Sequence, residues 1–131
     1  MSRAENASCA PGARPRPLRP RLAVEFLRAG RTVELPLGGG SMRPLFAPGD
    51  VVRVRPARAA DVRPGDVVVF DAGDDQLVCH RLVYASGARV VTRGDDCPSA
   101  DAPISADAIV GRVDIPPSPR ALYSALRALF R

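Results

Sequence analysis

The spacing of apolar positions divides the chain into segments with different periods. In "RLAVEFLRAG" (21–30), Leu22, Phe26 and Leu27 recur near helical spacing and the run closes on Gly30, which predicts a short helix. "TVELPL" (32–37) reads as a strand, and Pro36 assigns it to a sheet edge because proline cannot donate to an inner ladder. From Val51 to Val113 the pattern becomes a series of β segments: "VVRVR", "DVVVF", "QLVCHRLVYA", "RVVTR" and "AIVGRV". Turn chemistry such as "APGD", "RPGD", "DAGDD" and "ASG" separates them. At the end the helical period returns. Ser118 suits an N-cap and Pro119 the first helical position. Beyond them Leu122, Leu126, Leu129 and Phe130 share one face, with Arg120, Arg127 and Arg131 opposite.

The predicted organisation is a mostly β protein with a short N-terminal helix and an amphipathic C-terminal helix. Residues 1–19 form a basic, Pro-rich, disordered tail, 20–115 the β domain with its leading helix, and 117–131 the C-terminal helix. A chain of 131 residues fits one domain, and its 14 prolines and 11 glycines favour short strands and turns over a helical bundle. The C-terminal helix has two readings: its apolar face packs on the sheet or a partner chain, or it lies on a membrane surface. No segment approaches the roughly 18 apolar residues of a membrane span, and the N-terminus has no apolar signal core. The expected location is the cytoplasm, with peripheral membrane contact through the last helix as the alternative.

Charge adds one decisive fact. All 19 basic residues are arginine, and the formal net charge is +5. The arginine bias is consistent with skewed base composition and by itself does not argue for specific nucleic-acid binding. Cys9, Cys79 and Cys97 do not form a disulfide framework and lack the paired spacing of a zinc site.

The segment "GGGSMRP" (38–44) is too costly in backbone entropy for an ordinary loop. It reads either as a hinge or as a tight turn that exposes a nucleophile. A nucleophilic serine needs a fixed turn, nearby N–H groups and a base. Ser41 meets the first two conditions. Lysine and histidine are the usual bases; with no lysine in the chain, a Ser-Lys dyad is excluded, and His80 is the single imidazole. A carboxylate that orients the imidazole would complete the set, and "TRGDDCPSADAPI" offers Asp95, Asp96 and Asp101. Taken separately, a strand histidine and an acidic turn fit structural roles equally well. Cys79 and His80 are adjacent on a strand and point to opposite faces, which argues against a shared metal ion. The acids of the 95–101 segment lack the alternation of a calcium loop, and the glycines lack the Gly-Lys-Ser/Thr of a phosphate loop.

Three segments in order, "GGSMRPLFAPGDVVRV", "RPGDVVVF" with "VCHRLV", and "TRGDDCPSAD", resemble the serine peptidases of the type I signal peptidase and self-cleaving repressor superfamily over residues 31–115. The His-Arg pair is most similar to the archaeal and endoplasmic-reticulum signal peptidases, which pair serine with histidine. The resemblance implies a twisted antiparallel β fold, peptide-bond hydrolysis of a peptide or precursor protein, no cofactor and no metal. It implies Ser41 as nucleophile, His80 as general base and acid, and Asp101 as orienting carboxylate with Asp95 as the alternative or a structural partner. Gly39, Gly40, Met42 and Pro44 fall in the substrate and oxyanion segment, and Gly39 stands where many relatives carry a serine. Asp96 replaces the usual asparagine. A catalytically idle peptide-binding or regulatory module on the same fold is the competing expectation. A self-cleaving regulator ranks below both, because only about 30 residues precede the peptidase-like region.

Overall fold

The computed structural model describes residues 18–130. The tail expected over 1–19, except for its last two residues, lies outside the described residues, as do Cys9 and Arg131.

The first helix, α1, spans Pro20–Arg28, with proline fixing the backbone angle of the first turn. Its N-terminus is capped from a distance: the Arg21 N–H donates to Asp75 Oδ1 at 2.9 Å. Ala23 and Leu27, one turn apart, are fully buried. Leu22, expected on that face, is exposed instead. It sits one residue from Ala23, about 100° around the helix axis, so it leaves the core as Ala23 enters.

Seven strands form one antiparallel sheet in the order β1-β2-β7-β3-β4-β5-β6. They are β1 (Val33–Pro36), β2 (Val51–Pro56), β3 (Val67–Gly73), β4 (Gln76–Ser86), β5 (Arg89–Arg93), β6 (Ile104–Ser105) and β7 (Ile109–Val113). The fold is therefore the mostly β, antiparallel architecture anticipated from the pattern. Pro36 lies on the edge strand β1, opposite Val51. The two-residue β6 was not anticipated, being hidden in the Pro- and Asp-rich stretch after β5. β7 returns to pair with β2 on one side and β3 on the other.

Both sheet faces are covered, which explains the uninterrupted apolar run of β3. Val67 and Val69 join a core with Ala23, Leu27, Leu35, Val54 and Val110. Val68 and Phe70 join a second core with Leu82, Val90 and Ile109. These four residues at the start of β3 are all buried, as a strand segment covered on both faces requires. β4 divides similarly: Leu77 and Cys79 pack on the first core, and Val78 on the second.

The second helix, α2, spans Pro119–Leu129, and the Ser118 hydroxyl accepts the Ala121 N–H at 3.0 Å. Both readings of its apolar face assumed that a leucine stripe would meet whatever it docks on. Toward the sheet the opposite holds. Ser124 is fully buried, whereas Leu122, Tyr123, Leu126, Leu129 and Phe130 are exposed. The helix docks through its polar side, because the body offers that side a buried ion pair.

Candidate functional site: a serine, a histidine and two aspartates

The segment between β1 and β2 is a closed excursion. At its neck the Leu37 N–H donates to Asp50 O and the Gly49 N–H to Leu37 O, at 2.8 and 2.7 Å. The turn that ends it is built by Asp50, whose carboxylate accepts the Ala47 N–H at 2.9 Å, while Gly49 takes the left-handed angle φ 89°. Within the excursion the Arg43 N–H donates to Gly40 O and the Phe46 N–H to Met42 O; the Arg43–Pro44 peptide is cis. Met42, Leu45 and Phe46 anchor the turn in the first core. Ser41 is thus held on a turn whose next residue is buried.

β4 brings His80 to this serine. His80 Nε2 lies 3.1 Å from Ser41 Oγ, and Nδ1 lies 2.5 Å from Asp101 Oδ2. An ionised carboxylate only accepts, so Nδ1 carries the proton and the Nε2 lone pair faces the serine hydroxyl. The imidazole is mostly buried, its side chain 12% exposed against 29% for Asp101. Asp101 is fixed from two directions by Thr92: the Thr92 hydroxyl donates to Asp101 Oδ2 at 2.7 Å, and the Asp101 N–H donates to Thr92 O at 2.8 Å. Thr92 is fully buried on β5. Sequence reasoning missed it; a single threonine in a β-branched strand gives no signal of its own.

Asp95 sits elsewhere. Its two oxygens accept from Arg81 Nε and Nη2 at 2.8 and 2.7 Å. Arg81 Nη1 donates to Gly65 O at 2.8 Å, and Nη2 also reaches Ser124 Oγ at 3.2 Å. The Ser124 hydroxyl donates in turn to Asp95 Oδ2. Arg81 is 7% exposed, Asp95 5% and Ser124 0%. Buried charges persist when paired and saturated with hydrogen bonds, and here a hydroxyl of α2 supplies part of the saturation. The structure therefore separates the aspartates: Asp101 contacts His80, and Asp95 contacts Arg81. Asp96 is half-exposed, its side chain 3.9 Å from Arg127.

The loop carrying these acids also grips the serine turn. The Asp96 N–H donates to Ser41 O at 2.8 Å, and the Asp95 N–H to Met42 Sδ at 3.5 Å. Gly94 permits this approach. A Cβ there would lie 2.6 Å from Cys97 Sγ, 2.8 Å from Ser41 O and 3.0 Å from Ser41 Cβ. The glycines before Ser41 are different: a Cβ on Gly38 or Gly39 would meet nothing within 4 Å, and one on Gly40 would press on the Arg43 guanidinium. Gly38 and Gly39 therefore border open space.

That space continues into a cavity of about 320 Å³ beside Ser41 and His80, walled by Leu35, Val52, Val69, Leu77 and Cys79, with Gly39 and Met42 at the serine end. Pro44 lies away from it; its carbonyl accepts Arg120 Nε at 2.9 Å. Burial pushes the Cys79 thiol up to about 12, with the Asp95 carboxylate adding to the effect and Arg81 opposing it. This thiol is a wall, since only the thiolate is a nucleophile or metal ligand. Among the described residues no helix is long and apolar enough to cross a membrane.

A hydroxyl, an imidazole and a carboxylate in line, mounted on an antiparallel sheet next to an apolar cleft, define the class of serine-peptidase-like folds. A model of the Peptidase S24-like family matches residues 19–114, and the chain belongs to that family. The family lies within the superfamily that holds self-cleaving repressors and signal peptidases. No curated protein matches the chain.

Proposed function

We propose that this protein is a serine endopeptidase of signal-peptidase type, acting through Ser41, His80 and Asp101. The observation that carries the reading is the continuous contact from Ser41 Oγ to His80 Nε2 and from Nδ1 to Asp101 Oδ2. His80 takes the Ser41 proton as Oγ attacks the scissile carbonyl, then gives that proton to the departing amine, leaving an ester on Ser41. A water molecule, deprotonated by the same imidazole, hydrolyses the ester and restores the serine. Among the described residues nothing accepts the Ser41 N–H, which leaves it available to the oxyanion. Asp101 holds the imidazole in the required tautomer. Asp95 is the structural partner of Arg81.

The sheet also favours a binding mode. β1 pairs only with β2, and β5 pairs with β4 only from Arg81 onward. The edges of Leu35–Pro36 and Leu77–His80 therefore flank the cavity with no further strand on them among the described residues. An extended peptide can add to such edges by main-chain hydrogen bonds, and the apolar walls suit small side chains before the cut.

The test is labelling by a fluorophosphonate probe followed by cleavage of a peptide library read by mass spectrometry. Labelling at Ser41 that disappears in His80→Ala, together with cleavage at preferred sites, is the expected result. If neither labelling nor cleavage occurs in protein of native circular dichroism, the site is idle and the fold serves as a peptide-binding or regulatory module.

A further inference from the structure

We infer that the outward face of α2 is a docking surface for an anionic lipid bilayer. At 100° per residue, Leu122, Tyr123, Leu126, Leu129 and Phe130 fall in one arc of about 120°, and they are between 43% and 85% exposed. A contiguous apolar patch of a few hundred Å² on a folded surface marks an interaction site. This patch is not left over from core packing, because the inward side of the helix is already occupied. Ser124 closes the Arg81–Asp95 cluster, Arg120 bonds Pro44 O, Arg127 faces Asp96, and Ala121 packs on the first core. The helix is fixed by its polar side and presents its apolar side.

Charge selects the occupant. The stretch from Ser118 to Arg131 contains three arginines and no acidic residue, in a chain of net charge +5. Arg120 and Arg127 sit roughly 100–120° from the centre of the apolar arc, at the flank where an in-plane helix holds its cations among headgroups. The Arg120 residue remains exposed despite its bond to Pro44. Leucines with Tyr123 and Phe130 on the lipid-facing side and arginines along one flank form the pattern of an interfacial helix, whose affinity combines apolar insertion with attraction to anionic lipid. A second copy docked through the same face would bring no acidic residue of this stretch to the arginine-bearing flank. The surface is independent of the chemistry assigned to Ser41.

The experiment is co-sedimentation of the full chain with vesicles of phosphatidylcholine alone and of phosphatidylcholine with phosphatidylglycerol, with size-exclusion chromatography and light scattering in parallel. The expected result is binding to the anionic vesicles that weakens with added salt and falls at least about tenfold in Leu126→Glu/Phe130→Glu. That variant should keep native circular dichroism, since both side chains are exposed and neither belongs to a core cluster. Arg127→Gln should bind less tightly than the parent. No binding to anionic vesicles, or binding untouched by the double substitution, overturns the inference. So does a dimer that the same substitution dissociates, because the face would then be a self-interface.

Discussion

Asp95→Asn and Asp101→Asn remove the same charge six residues apart, and they should fail in different ways. Asp95 accepts both forks of Arg81 at 2.8 and 2.7 Å, and both residues are under one-tenth exposed. The asparagine leaves the guanidinium charge buried without compensation, a loss of about 3–5 kcal/mol. A domain of this size is stable by about 5–15 kcal/mol, so roughly a fifth or more of the margin disappears. In urea, with a slope of about 1–3 kcal/mol per molar, the midpoint should fall by roughly 1–5 M. A double-mutant cycle with Arg81→Met should be strongly non-additive, because removing both partners leaves no orphan charge. Asp101 is over a quarter exposed and bonded to Thr92 and His80; its asparagine should shift the midpoint little. It should lower kcat by up to about 10⁴-fold, since the imidazole loses the partner that sets its tautomer. The assays are urea unfolding followed by circular dichroism, and steady-state cleavage of the best library peptide under fully folded conditions. If Asp95→Asn keeps its midpoint and loses kcat as severely as Asp101→Asn, the assignment of the two acids is wrong.

Other expectations follow from single contacts. Gly94→Ala forces a methyl group against Ser41 O and Cys97 Sγ; it should cost about 1–3 kcal/mol by thermal unfolding and at least about tenfold in kcat, with KM changed less. Gly39→Ser places a hydroxyl where the backbone has room, so the melting temperature should hold while kcat rises if that hydroxyl reaches the oxyanion; a fall in kcat would argue against the proposed substrate path. Cys79 should resist iodoacetamide in the native protein at pH 9 and react on unfolding, as peptide mapping would show. Its folded value is raised from 9.0 to about 12, so its contribution to stability is complete below pH 9 and declines as pH climbs toward 12. A Cys79→Ala variant should lack that part of the alkaline loss, in unfolding measured at pH 8 and above 10.

Much of the fold was legible because its local signals agree. Pro36 marks an edge, the two x-Pro-Gly-Asp turns close through Asp50 and Asp66, and Ser118-Pro119 starts α2. Chain order could not show that β7 inserts between β2 and β3, since pairing is a tertiary choice. Helical periodicity showed that α2 has two unlike faces, but not which one meets the body. The answer depended on an Arg81–Asp95 pair assembled from β4 and the loop after β5, and on a hydroxyl to complete it. Ser41, His80 and the acidic loop were each visible as residues that could serve chemistry. That Asp101, not Asp95, touches His80 depends on Thr92, which looks like any other strand residue.

The contact of Ser124 with the buried pair also has a temporal meaning. Ser41 lies in the first third of the chain, yet the loop that grips it comes from residues 94–101, and the cluster under that loop is completed by residue 124. Contacts so distant in sequence must close long loops and cannot form before both segments have been made. A chain still being synthesised therefore carries its serine in an unassembled turn. The grip on the serine turn is complete only once the chain has been made as far as residue 124.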